Sequence, residues 1–176
     1  METTPKPRYK KPDAVRNLEE AIRQRHIATH PHIPPAYIKR KPMRDDTANG
    51  LTKCVVSFLN VSGHQAERIN TTGRVIMERG QMYRGGRLVD TYKPRMIPTA
   101  GQRGSADISA TIDGRSVNIE NKVGRDRQSD AQKEYQRSIE AAGGIYVIAR
   151  DFPSFVEWYE TTFHRAAFPH LATDKQ

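Results

Sequence analysis

The feature that most constrains this chain is a dipeptide, Asp113-Gly114, set between the alternating segments Ile108–Ile112 and Arg115–Glu120. Asp-Gly in that setting predicts a two-residue type I′ turn, whose positive φ angles match the twist of paired strands. A turn this short also sets the register. Ile112 must lie opposite Arg115, Ala110 opposite Val117 and Ile108 opposite Ile119, which makes one apolar side. The other side carries Thr111 opposite Ser116, Ser109 opposite Asn118 and, at the open end, Asp107 opposite Glu120. A slip of one residue would exchange the two sides, so the clean sorting supports the pairing that the turn imposes.

The open end carries the chemistry. Opposed acids have Cβ atoms about 4.5–5.5 Å apart and destabilise a hairpin by up to about 1 kcal/mol. Lys122 lies two residues beyond Glu120 and points to the same side. A divalent cation between the carboxylates would remove the conflict. Oxygen-only ligands with positions left for water and phosphate suit Mg²⁺ or Mn²⁺. Such an ion acidifies a bound water and neutralises phosphoryl charge, while Lys122 can orient the water or stabilise developing negative charge. The same residues also suit a solvent-facing polar surface on which Lys122 shields two acids.

Charge distribution bears on that choice. The chain has a formal net charge of +9 over 176 residues, and the excess sits ahead of the hairpin. Residues 1–50 carry net +5, residues 74–104 another +5, and residues 105–176 carry −2. Basic elements flanking a slightly acidic site suit a polyanion held by its phosphates, and equally suit a basic surface kept for solubility. The one cysteine, Cys54, lies among Val55, Val56, Phe58 and Leu59 and reads as a small buried hydrophobe. No disulfide within the chain is possible, which fits a reducing compartment. No apolar run approaches the roughly 20 residues of a membrane span. METTPKPRYKKPD lacks the apolar core of a secretory signal. The expectation is a soluble, cytoplasmic protein without a membrane partner.

The remaining segments suggest an order of elements. Residues 1–48 read as a basic N-terminal arm: a Pro/Lys-rich start, a helix from Asp13 to about Ala28 capped by Asp13, and the Pro-broken linker HPHIPPAYIKRKP. His26, His30 and His32 lack an acid or cysteine at ligand spacing and read as linker residues. A compact domain spans 49–176. It opens with the helix LTKCVVSFLN and a strand-like AERINTTGRVIMER. Residues 80–104 read as Gly/Arg/Pro-rich loops around a short strand. After the hairpin come a helix over about 129–142, the strand IYVIAR and the helix PSFVEWYETTF. The class is α/β or α+β.

Asp107, twelve intervening residues, then Glu120-Asn121-Lys122 resembles the D…(E/D)-x-K signature of the PD-(D/E)XK nuclease superfamily. The wider run resembles its VRR-NUC branch. Gly104-Ser105-Ala106-Asp107 is similar to G-x-P-D, Ile119-Glu120-Asn121-Lys122 to I-E-V-K, and Ser129-Asp130-Ala131-Gln132 to S-x-x-Q. The resemblance covers about residues 50–150 and implies a restriction-endonuclease-like core with a mixed central sheet flanked by helices. It also implies a Mg²⁺- or Mn²⁺-dependent endonuclease that hydrolyses DNA phosphodiesters with metal-activated water. Asp107, Glu120 and the backbone carbonyl of Asn121 would hold the metal, Lys122 would assist the water, and Gln132 would sit beside the site. Ser129 and Gln132 also form a capping box by sequence alone. Asn121 replaces an apolar residue and falls on the apolar side, which reads as an exposed strand end. The helix-borne Glu common in that family has no counterpart near Asn49, where Asp45 and Asp46 are the nearest acids. Arg103, Arg125 and Arg127 bracket the site as phosphate contacts. Duplex, flap or branched DNA is the expected partner, and a branched substrate would favour a homodimer. The alternatives are a DNA-binding protein that keeps the fold with little or no cleavage, and a structural component of a phage or mobile element.

Overall fold

The computed structural model describes residues 9–70, 73–97 and 101–169, so the first eight residues of the expected arm lie outside it. Along the chain run α1 (Asp13–Thr29), a 3₁₀ turn (Pro35–Tyr37), α2 (Ala48–Val61), β1 (Gln65–Arg68), β2 (Arg74–Arg84) and β3 (Arg87–Ile97). Then follow β4 (Ile108–Ile112), β5 (Arg115–Asn121), α3 (Asp130–Ala141), β6 (Ile145–Ala149) and α4 (Phe152–Phe163).

The central hairpin forms as its turn chemistry demands. Asp113 and Gly114 take φ 47° and 77°, and β4 pairs with β5 through Ile112–Arg115, Ala110–Val117 and Ile108–Ile119. β1 pairs antiparallel with the free edge of β4, and β6 runs parallel to β5. The result is a mixed sheet of order β1-β4-β5-β6. Its parallel joint needs a crossover, which α3 supplies.

The two faces of the sheet are covered differently because their side chains differ. Ile108, Ala110, Ile112, Val117 and Ile119 are buried against Leu51, Val55, Phe58 and Leu59 of α2 and Phe152, Phe155 and Tyr159 of α4. Phe58 sits at the centre, edge-on to Phe152, Phe155 and Tyr159 at 5.0–6.2 Å between ring centroids. The opposite, polar face is met by α3, whose Tyr135 donates to Asn118 Oδ1 at 3.2 Å.

Two expectations are corrected here. The helix assigned to the arm belongs to the core: Val15 and Leu18 of α1 are fully buried in the same cluster as α2 and α4. Its segment is strapped down by two buried acids. Glu19 accepts from Lys11 Nζ at 2.5 Å and from the Met43 amide at 2.7 Å, while Asp45 accepts from Tyr9 Oη at 2.8 Å and the Phe152 amide at 3.2 Å. Asp13 does not cap α1. Pro12 stands at the cap position, and Asp13 pairs with Arg16 at 2.6 Å.

The second correction concerns residues 69–104. The first strand ends at Arg68, and the expected loops are instead a two-stranded ribbon, β2 with β3, in continuous register from Arg74–Ile97 to Arg84–Arg87. Its turn is Gly85-Gly86, both at positive φ (59° and 75°), the same turn chemistry as the central hairpin. The ribbon is inserted between two strands adjacent in the sheet. The chain leaves at Ile69, whose amide donates to Asp107 O at 2.8 Å, and returns at Asp107 itself. Among the described residues no helix is long and apolar enough to cross a membrane.

Candidate metal and nucleic-acid site

Glu120, Asn121 and Lys122 stand at the carboxyl end of β5, where β6 ends beside it, and Asp107 stands just before β4. The carboxyl ends of parallel strands are where open α/β sheets place ligands. Four local arrangements bring the expected residues together there.

The first is the approach of the Gly104 segment to α3. Gly104 has φ 83°, and a Cβ on it would lie 2.4 Å from Ala131 O and 2.9 Å from the Gln132 amide nitrogen. Only glycine fits there, and the chain then runs through fully buried Ala106 to deliver Asp107. The second is the tether on Asp107, whose Oδ2 accepts from the Asn121 amide at 3.0 Å.

The third is Glu120, only 2% exposed. Its Oε1 accepts from Gln132 Nε2 at 2.6 Å and Lys122 Nζ at 3.0 Å. Its Oε2 is buried with no hydrogen-bond partner among the described residues. Burial raises its pKa above the ordinary carboxylate value, Lys122 works against that, and the neighbouring charge of Asp107 adds to the rise. A buried carboxylate oxygen left unpaired beside a second acid is costly in a charged state, a cost that either a proton or a cation relieves.

The fourth is Lys122, 6% exposed and bonded to Glu120 and, at 3.3 Å, to Asp126 Oδ2. Burial alone would lower its pKa, but the pairing with Glu120 and Asp126 outweighs it and holds the ammonium charged above its ordinary value. Lys122 is therefore a cation and a hydrogen-bond donor at neutral pH, not a proton acceptor.

Gln132 closes the expected capping box and also contacts Glu120. Its Oε1 accepts from the Ser129 amide at 2.9 Å, closing the capping box of α3, while Nε2 holds Glu120. Asn121 corrects an expectation. It is not at an exposed strand end but 3% exposed, because Thr52 of α2 receives its Nδ2–H at 2.9 Å; its Oδ1 is buried and has no partner among the described residues. Asp45 and Asp46 do not join the site: Asp45 holds Tyr9 and the start of α4, and Asp46 pairs with Arg44 at 2.5 Å. Among the described residues no group of three or more His, Cys, Asp or Glu side chains is arranged to hold a metal ion. The carboxylate set is thus Asp107 and Glu120.

The arginines divide. Arg125 and Arg127 line a depression of about 440 Å³ together with Arg150, next to the Asp126 that pairs with Lys122. None of these three arginines makes an ion pair among the described residues. Arg103 is exposed and lines a separate depression of about 530 Å³ with Asp130 and Tyr135 of α3. Arg150 was not picked out from the sequence. The register Asn121–Ala149 carries it alongside Lys122, so the parallel pairing of the two strands was the signal that would have found it. Tyr146 was missed for the same reason. It pairs in register with Asn118, and burial, helped by the charge of Glu120 and opposed by a hydrogen bond with Gln128, pushes its pKa up to about 12.

Cys54 is a buried residue of α2, its Sγ donating to Arg44 O at 3.4 Å and its thiol pushed up to about 12 by burial, so it offers no nucleophile. His64 lies at the far end of the hairpin, bonded to Tyr159 Oη at 2.8 Å and 4.0 Å from Asp113. Neither a known protein family nor any curated protein matches this chain.

Proposed function

We propose that this chain is a Mg²⁺- or Mn²⁺-dependent DNA endonuclease with a PD-(D/E)XK-like core of the VRR-NUC kind. The observation that carries the proposal is the buried, unpartnered Oε2 of Glu120 beside Asp107. The donor set fits the ion: two carboxylates and a backbone carbonyl at Asn121 are hard oxygen ligands of the type these cations prefer. A bound ion would supply charge neutralisation at a phosphate and acidification of a water molecule.

The chain's own residues do the rest. Gln132 and Lys122 occupy Oε1 of Glu120 and so leave Oε2 as the ligand atom. The Asn121 amide fixes the orientation of Asp107. Lys122, held protonated, donates to the attacking water or to the phosphoryl oxygen as negative charge builds. Arg125, Arg127 and Arg150 offer unpaired guanidinium groups to the phosphates of the strand, and Arg103 a further one.

One observation favours a second reading, a nucleic-acid-binding protein with the same core and no cleavage: among the described residues no third carboxylate joins Asp107 and Glu120 in a metal-holding arrangement, Asp126 being taken up by Lys122. Conversion of supercoiled plasmid and of branched DNA, with Mg²⁺ and with Mn²⁺, separates the two. The nuclease reading predicts cleavage that Glu120→Gln reduces by at least 100-fold while DNA binding persists. Equal rates for wild type and Glu120→Gln, with binding retained, would establish the second reading instead.

A further inference from the structure

The β2–β3 ribbon holds nine of the ten large hydrophobic side chains that the described residues leave exposed, and its strands contact chiefly each other. The register sorts these residues. One face carries Val75, Met77, Tyr83, Leu88, Tyr92 and Met96, each 55–74% exposed. Its only charges, Arg79 and Asp90, neutralise each other at 2.7 Å. The other face carries Arg74, Arg84, Arg87, Lys93 and Arg95 against a single acid, Glu78, and holds the remaining three exposed hydrophobics, Met82, Val89 and Ile97.

An isolated two-stranded ribbon is marginal in water, and an apolar patch of this size on an otherwise polar chain marks an interaction surface. We propose that the apolar face of the ribbon packs against the same face of a second copy of this chain, forming a two-fold dimer. Area supports that occupant. Six large side chains leave on the order of 100 Å² each, about 600 Å² per copy and ~1,200 Å² per pair, which reaches the range of stable interfaces. Charge supports it too. The apolar face is neutral overall, since each Arg79 is paired with Asp90, so its own copy brings no net charge against it, whereas the face offers nothing to a polyanion. The face is also complementary to itself. A two-fold axis over its middle row brings the Val75/Met96 end of one copy onto the Tyr83/Leu88 end of the other. The basic faces then point away from the joint on both sides. This inference stands whether or not the chain cuts DNA.

Sedimentation velocity on the full chain between about 1 and 100 µM tests it. The expected result is a species of twice the chain mass for wild type. Met77→Glu combined with Met96→Glu should be monomeric throughout, and Arg84→Gln combined with Arg87→Gln should remain dimeric. These residues lie outside the core, and far-UV circular dichroism with a thermal midpoint checks that each variant is folded. Hydrogen exchange gives a second readout: the ribbon amides should exchange more slowly as wild-type concentration rises, and not in the Met77/Met96 variant. A wild type that stays monomeric at 100 µM overturns the proposal, as does a dimer that survives both glutamates. A wild-type chain that remains monomeric but binds a different protein through this face overturns it as well.

Discussion

Gln132 joins the start of α3 to Glu120: its Oε1 closes the helix cap at Ser129 while its Nε2 donates to the Glu120 carboxylate at 2.6 Å. One amide thus sets the position of a helix and the orientation of a buried acid. Gln132→Glu should keep the cap, since a carboxylate accepts from the Ser129 amide equally well, but it places a second negative charge against Glu120. The expected outcome is a near-native fold with cleavage reduced by at least tenfold. Gln132→Ala should lose the half of the capping box that the glutamine side chain supplies, together with its bond to Glu120, and destabilise the chain by about 1 kcal/mol. Urea unfolding and plasmid nicking, measured on both variants, check the distinction.

Asp107→Asn separates electrostatics from structure. Asparagine still offers an oxygen to the Asn121 amide, but it removes the like charge beside Glu120. Without metal the variant should be as stable as wild type or more stable by a few tenths of a kcal/mol. With Mn²⁺ at 100 times its dissociation constant, wild type should gain about 2.7 kcal/mol by mass action, and the variant should gain little. Thermal unfolding with and without Mn²⁺ measures both effects. A large loss of stability for metal-free Asp107→Asn would contradict the repulsion inferred here.

Gly104→Ala tests the close approach that delivers Asp107. The new methyl group would meet the backbone of Ala131 and Gln132, which cannot give way without shifting α3, and φ 83° adds strain of its own. A cost of at least about 1–3 kcal/mol is expected, corresponding to a fall of roughly 2–4 °C in melting midpoint per kcal/mol.

His64 predicts a pH dependence. Burial lowers its pKa below the ordinary value, Asp113 works in the opposite direction, and Arg165 reinforces the lowering. Its ring faces Tyr159, Asp113 and Arg165. The unfolded chain therefore binds the proton more readily than the folded one, so this group favours the folded state above the unfolded pKa. Its contribution declines as pH falls below that value, about 6.5. His64→Gln should flatten the rise in unfolding free energy between pH 5 and 7.5, compared with wild type in parallel urea titrations. An unchanged slope would show that His64 does not report on folding in this range.

Much of the core was legible in the sequence because short-range rules applied. The Asp113-Gly114 turn specified the opposed pairs of the central hairpin, and the observed register repeats the five from Ile112–Arg115 to Ile108–Ile119; Asp107 lies beyond the paired residues, its carboxylate accepting from the Asn121 amide. The helices α2, α3 and α4 and the strand β6 fall within two or three residues of their expected bounds. The ribbon was misread although its Gly85-Gly86 turn carries the same signal, because six Lys/Arg residues over 74–97 masked the alternation around it. Position in sequence also hid the role of α1, since a narrow apolar stripe says that a helix packs but not what it packs against.

What the sequence determined by itself was therefore local: two turns whose paired positive φ angles impose a register, a capping box, and the side of each strand on which Asp107, Glu120 and Lys122 emerge. Only the tertiary structure decided which of those groups remain unpaired. Gln132 and Lys122 crowd one oxygen of Glu120 and leave the other bare, Thr52 buries Asn121, and the parallel pairing of β5 with β6 brings Arg150 and Tyr146 to the site. Each of these depends on contact between residues distant in the chain. A turn or a periodicity carries no information about which distant partner will satisfy a given polar atom, and that satisfaction is what makes a pair of acids a candidate metal site.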